Sequence, residues 1–153
     1  MEFEFSDLEP ADLDEVVELE ILCFPTPWRR SLFLEELCRK DQCTWIKASP
    51  KDPSTGFKVA AYMGFWRAVD EAHITNLAVR PQFRRQGLAR ALLNQTLEIA
   101  KAKGCLRATL EVRPSNLAAR ALYESVGFSD AAIRPRYYID NGEDALIMWK
   151  NGL

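Results

Sequence analysis

The chain has 153 residues, 48% of them hydrophobic and 27% charged, with a formal net charge of −2. That length suits one domain over residues 1–153, and the slightly acidic balance excludes general nucleic-acid affinity, leaving room only for a local basic patch. No apolar run reaches the roughly 20 residues of a membrane helix and the acidic start is unlike a secretory signal, so a cytoplasmic protein without a membrane partner is expected.

Phe3 to Phe5 is predicted as a short first strand. A helix opens at Pro10 or Ala11 and runs to about Cys23, with Leu13, Val16, Val17, Ile21 and Phe24 as its apolar positions. At 100° per residue Glu20 falls in the middle of that face, either reaching solvent from its edge or serving as a buried or cleft-facing acceptor for a cationic group. The prolines of Phe24-Pro25-Thr26-Pro27-Trp28 stop the helix and make a stiff aromatic loop. A second helix follows over Ser31 to Arg39, capped by Ser31.

Thr44 to Ala48 is a predicted strand and Ser49 to Gly56 a turn. Lys58 to Ala68 and Ala72 to Val79 then form an antiparallel hairpin around Val69-Asp70-Glu71. A long helix starts near Gly87 and ends before Gly104, with Ala89, Leu92, Leu93, Thr96 and Ala100 on one side and Arg90, Asn94, Glu98 and Lys101 on the other. The strand Arg107 to Arg113 alternates Ala108, Leu110 and Val112 against Thr109 and Glu111. A helix over Asn116 to Val126 is stopped by Gly127, and a last hairpin pairs Phe128 to Ile139 with Ala145 to Lys150 around Asp140-Asn141-Gly142. The order β-α-α-β-β-β-α-β-α-β-β gives an α+β domain on a mixed sheet.

The turn Arg84-Arg85-Gln86-Gly87-Leu88-Ala89 leads from a strand into the long helix. Unpaired N–H groups, a helix dipole, Gly87 and two arginines suit a pyrophosphate, although a basic surface turn that only caps its helix has the same composition. Neither G-x-G-x-x-G nor G-K-[ST] is present. Glu111 is a mid-strand carboxylate opposite an apolar face: a strand-edge charge paired with an arginine such as Arg113, or a general base whose pKa burial raises. Asn116 and Tyr123, seven residues apart, are expected on one side of their helix, with Leu117, Ala118, Ala121, Leu122 and Ser125 turned to the core. An exposed tyrosine and a helix-start asparagine would look the same. Cys23, Cys38, Cys43 and Cys105 form no C-x-x-C pair and His73 is the one histidine, so packed, reduced thiols are expected and no metal site.

Together these motifs resemble the GNAT superfamily of acetyl-CoA-dependent N-acetyltransferases over nearly the whole chain. Its pyrophosphate loop [Q/R]-x-x-G-x-[G/A] is matched by Arg84 to Ala89 after Asn76-Leu77-Ala78-Val79, and its second signature by Ser115-Asn116-x-x-Ala119-x-x-Leu122-Tyr123-x-x-x-Gly127-Phe128. Arg84 and Ala89 stand where many members have Gln and Gly, and Pro114 where Ala is frequent. Within the superfamily the segments Glu20 to Trp28, Leu110 to Asn116, Arg136-Tyr137-Tyr138 and Gly142 to Met148 are most similar to the RimI group, which acetylates the N-terminal alanine of a small-subunit ribosomal protein.

The resemblance implies a mixed, mostly antiparallel central sheet flanked by helices. It implies acetyl-CoA as cosubstrate, with the pyrophosphate on Arg84, Arg85, Gln86, Gly87, Leu88, Ala89 and Arg90. The pantetheine arm would then lie along Leu77, Ala78 and Val79 and reach Asn116 and Tyr123. Glu111 would be the general base and Tyr123 the acid that protonates the CoA thiolate, in direct transfer. Glu20, Phe24, Trp28, Tyr137 and Tyr138 would line the groove for a protein N-terminus, on a monomer or weak homodimer. A GNAT enzyme for a small amine or lysine side chain, and a non-catalytic CoA-binding regulatory domain, remain open as alternatives.

Overall fold

In the computed structural model, which describes residues 1–153, the strands are β1 (Phe3–Asp7), β2 (Cys43–Pro50), β3 (Ala61–Ala68), β4 (Glu71–Val79), β5 (Arg107–Val112), β6 (Ser129–Arg134) and β7 (Ala145–Lys150). The helices are α1 (Leu13–Cys23), α2 (Arg30–Cys38), α3 (Leu88–Ala102) and α4 (Leu117–Ser125). All the strands join one sheet of order β1-β2-β3-β4-β5-β7-β6. Only β4 and β5 are parallel, and α3 is the crossover that a parallel pair requires. This is the expected mixed, mostly antiparallel α+β fold.

Strand alternation divides the core between the two faces of the sheet. Trp45 and Tyr62 join Leu13, Val16 and Leu19 of α1 and Phe33 of α2. Their neighbours Ile46 and Met63 point the other way, into a larger cluster with Leu92, Leu93 and Leu97 of α3. The smaller cluster is aromatic: Phe33 and Trp45 meet edge-on at 5.1 Å between ring centroids, and Trp28 meets Trp45 at 5.4 Å. Each such pair contributes about 0.5–1.5 kcal/mol beyond area burial.

One irregularity shapes the functional region. Met63 pairs with Leu77 but Phe65 with Ile74, so Thr75 and Asn76 together oppose Gly64. This bulge bends β4, and the parallel ladder with β5 ends at His73↔Thr109. Beyond that point β4 continues to Val79 and β5 to Val112 without pairing to each other, leaving a fork in the sheet.

Several local expectations are corrected. On α1 the buried positions are Leu13, Val16, Leu19 and Glu20, while Ile21 is 64% exposed. Ser31 does not cap α2; Arg29 holds that position, without a side-chain cap bond. Strand β3 begins at Ala61 rather than Lys58, and β6 ends at Arg134, so the last hairpin carries a long loop. On α4 it is Ala119, Leu122, Tyr123 and Val126 that join the core, and Leu117 is 70% exposed. Tyr123 therefore points inward, not away from the core. All four cysteines are free, but Cys38 is exposed rather than packed.

Candidate active site

The turn into α3 is built as an anion cradle. Arg85 (φ 63) and Gly87 (φ 75) are both left-handed, which turns successive N–H groups toward one side. The N–H groups of Arg85, Gln86, Gly87, Leu88, Ala89 and Arg90 donate to no acceptor in the protein; the first to find one is Ala91, on Gly87 O at 3.1 Å. Unpartnered donors at a helix start, with the dipole behind them, favour a phosphate. The arginines before them have other tasks. Arg84 donates from Nε to Val79 O (3.0 Å) and approaches Cys23 Sγ (3.4 Å). Arg80 is buried, bonds Glu18 (2.8 Å) and Val59 O (3.2 Å), and lies 4.1 Å over the Phe57 ring, tying the loop to α1.

Just past the end of the parallel ladder stands a carboxylate–imidazole pair. Glu111 Oε2 lies 2.6 Å from His73 Nε2, and Glu111 Oε1 lies 4.0 Å from Arg134. Both members face the side of the sheet that carries α1 and α2, because Ala108, Leu110 and Val112 fill the opposite face of β5. Burial raises the Glu111 pKa, but the His73 hydrogen bond and charge, with the Arg134 charge, outweigh it and hold the carboxyl below its ordinary value. The expected upward shift is thus reversed: burial does act, but the carboxylate keeps an imidazole hydrogen bond and a guanidinium beside it.

Tyr123 reaches this region from the other face. Its ring meets Phe128 edge-on at 5.8 Å, and burial, then Tyr138, push its pKa up to about 12. Its hydroxyl makes no hydrogen bond; Arg120 Nε is the one sealed side-chain nitrogen or oxygen without a partner, so the hydroxyl retains contact with solvent. Tyr138 links the groups: burial first, then Tyr137, Glu111 and Glu143 against Arg113, raise its pKa to about 12.

The loop between β6 and β7 is held by Arg113. Its guanidinium bonds both oxygens of Asp140 (3.0 and 2.8 Å) and stacks 3.9 Å over the Tyr138 ring. Tyr137 packs edge-on against Tyr138 at 5.1 Å and is 40% exposed.

Further along the same face of the sheet, Glu20 is fully buried. It accepts from Tyr62 Oη (2.6 Å), Asn76 Nδ2 (2.6 Å) and Trp28 N (2.9 Å). The expected cationic partner is absent from this set: all three donors are neutral, and burial outweighs them to raise the carboxyl pKa. Glu20 thereby ties α1, the aromatic loop, β3 and the β4 bulge together, with Phe24 and Trp28 packed half-buried against the same cluster. Asn116 caps α4, its Oδ1 accepting from Ala119 N at 3.2 Å. Leu77 and Val79 are half-buried and Ala78 is buried in the α1 face.

The structure therefore brings Glu111, Tyr123, Tyr137 and Tyr138 to one region and gathers Glu20 and Trp28 behind it. Sequence reasoning missed His73, Asn76, Tyr62 and Arg134 as partners of these residues. A single histidine midway along a strand carries no signal of its own. Its role appears only once the parallel register sets it opposite Thr109, two residues from Glu111.

The description "Acetyltransferase (GNAT) family" matches residues 13–128. The chain is 41% identical over 138 residues to a putative ribosomal protein bS18-alanine N-acetyltransferase of Bacillus subtilis, covering 90% of this chain and 88% of the relative. It is 37% identical over 145 residues to the ribosomal protein bS18-alanine N-acetyltransferase of Escherichia coli K12, covering 94% and 93%. The crystal structure of the ribosomal-protein-S18-alanine N-acetyltransferase from Escherichia coli superposes with a TM-score of 0.86, covering 99% of this chain and 96% of that one at 35% identity.

Proposed function

The chain belongs to the GNAT acetyltransferase family, and from that premise we propose that it carries acetyl from acetyl-CoA to the N-terminal amine of a protein, with the N-terminal alanine of ribosomal protein bS18 as its acceptor. The acceptor rests on one observation: similarity over nearly the full length to two enzymes named for that alanine. Residues 1–153 would act as one catalytic domain, and a ribosomal acceptor places its work in the cytoplasm.

In this reading the free N–H groups from Arg85 to Arg90 hold the pyrophosphate, with Arg84 bracing the loop. The pantetheine arm enters the fork beside Leu77, Ala78 and Val79, passing Asn116 and Tyr123. The acceptor ammonium, with an ordinary pKa near 8, loses a proton through water to Glu111. Its nitrogen then attacks the thioester carbon, the C–S bond breaks, and the second amine proton is released as the amide forms. The sulfur leaves with the C–S electron pair and is protonated with the help of Tyr123. A phenol at about 12 is a weak acid beside a thiol near ~8.5, so Tyr123 acts chiefly by hydrogen-bonding the developing thiolate. Phe24, Trp28, Tyr137 and Tyr138 border the groove for the first peptide residues. Glu20, enclosed by its three donors, positions the Trp28 loop rather than meeting the ammonium.

Initial rates on peptides starting Ala-Arg, Met-Glu and Ser-Glu, beside small amines and an internal lysine, test the acceptor. The Ala-Arg peptide should have the highest kcat/KM, and Tyr123→Phe should lower its kcat by about 10²-fold while leaving turnover measurable. Preference for free amines or for lysine would reject the N-terminal reading.

A further inference from the structure

His73 is absent from the roles just described, yet it is the nearest partner of the carboxylate at their centre. Its Nε2 lies 2.6 Å from Glu111 Oε2, and its ring lies 4.9 Å from that of Trp66. At 2.6 Å a carboxylate and a bare ring nitrogen would repel, so one proton lies between them. His73 Nδ1 makes no hydrogen bond in the protein, and the side chains of His73 and Glu111 are 25% and 16% exposed, within reach of water. The pair thus holds one proton and has room for a second.

We propose that His73 is the positioning partner of Glu111 and stores the proton taken from the acceptor, so that the base of this enzyme is a Glu111–His73 unit rather than a lone carboxylate. The inference rests on the reading of Glu111 as base. In the step itself an ammonium N–H bond breaks, its electron pair stays on nitrogen, and the proton crosses water to the pair. It completes an imidazolium at Nδ1 whose Nε2–H still points to the Glu111 carboxylate. Nothing is oxidised or reduced, and the proton leaves to solvent after product release.

The chemistry favours this division of labour. Although burial raises it, the His73 hydrogen bond and the Arg134 charge hold Glu111 below its ordinary value, which makes it by itself a poor match to an ammonium near 8. A carboxylate on Nε2 fixes the tautomer in which Nε2 carries the proton, and this leaves Nδ1, open to water and without a partner, as the acceptor for the next one. Arg134 of β6 and Tyr138 of the following loop lie beside Glu111, the Glu71–Arg107 ion pair (3.0 Å) lies two residues back on the same face of β4 and β5, and Trp66 of β3 supplies an uncharged wall.

The chain contains one histidine, so ring ¹⁵N spectra report this residue alone. The wild type should show Nε2 protonated and hydrogen-bonded, a signature lost in Glu111→Ala, which removes the acceptor. His73→Gln should lower kcat about 10-fold or more, leave KM for acetyl-CoA within about twofold, and move the acidic limb of the kcat–pH profile toward the carboxylate range. The double variant should be no more than about twofold slower than Glu111→Gln, because the two side chains act as one unit. A wild-type spectrum with Nε2 bare, or His73→Gln with kcat and pH profile unchanged, would overturn the proposal. If Glu111→Gln is slow while His73→Gln is not, only the pair is refuted; if both are fast, the role of Glu111 falls as well.

Discussion

Glu20 and Glu111 are carboxylates on the same side of one sheet, and their neighbours drive them in opposite directions. Glu20 is sealed among neutral donors, so burial wins and its pKa rises. Glu111 is also partly buried, but His73 and Arg134 supply charge and its pKa falls. The consequence for stability has a definite sign. The Glu111 contribution is fully present above its unfolded value, near ~4.3, and is lost as pH falls through the lowered folded value. Glu20 behaves oppositely: its raised value favours the fold at low pH, and that contribution disappears as pH rises through its folded value. Urea midpoints of wild type and Glu111→Gln should therefore differ at pH 7 and converge as pH falls below the ordinary carboxylate range. A constant difference across that range would show that the His73 and Arg134 contacts do not favour the ionised form. Tyr123 shows where residue-level reading went wrong. Small side chains at Ala118, Ala119 and Ala121 leave the helical stripe ambiguous, and the largest apolar ring on α4 settles it by turning inward.

At the scale of elements, the functional region follows from two backbone departures. The β4 bulge opposite Gly64 opens the fork, and the left-handed Arg85 and Gly87 expose the N–H groups that open α3. The second was legible in the chain, because Gly87 at a strand-to-helix turn is a recognisable signal. The first was not: nothing in Ile74-Thr75-Asn76-Leu77 announces an extra residue, and a bulge depends on the partner strand. A Cβ on Gly87 would meet nothing within 4 Å, so Gly87→Val should fold, at a conformational cost of about 1–2 kcal/mol. Its branched side chain would flatten and crowd the cradle. We expect KM for acetyl-CoA to rise about tenfold with kcat at saturating cofactor within about threefold, read from initial rates. An unchanged KM would remove the loop from the cofactor site.

For the whole molecule, the element order and the α+β class were readable because each long element carries its own periodicity: two for β5, 3.6 for α3. What periodicity could not supply was the register between distant segments, and that is where the chemistry lies. His73 with Glu111 spans 38 positions, and Asn76 with Glu20 spans 56. The fold assembles two separate halves, a turn of unpartnered N–H groups opening α3 and the Glu111–His73 pair, at the fork between β4 and β5. In the reaction proposed above, the two together would transfer one acetyl group to one protein α-amine. The most direct test is a peptide beginning Ala-Arg that also contains an internal lysine, incubated with the protein and acetyl-CoA and fragmented by tandem mass spectrometry. We predict a single acetyl group on the α-amine of alanine, absent when that amine is formylated beforehand. Acetyl on the lysine, or none on a peptide with its α-amine free, would contradict the account.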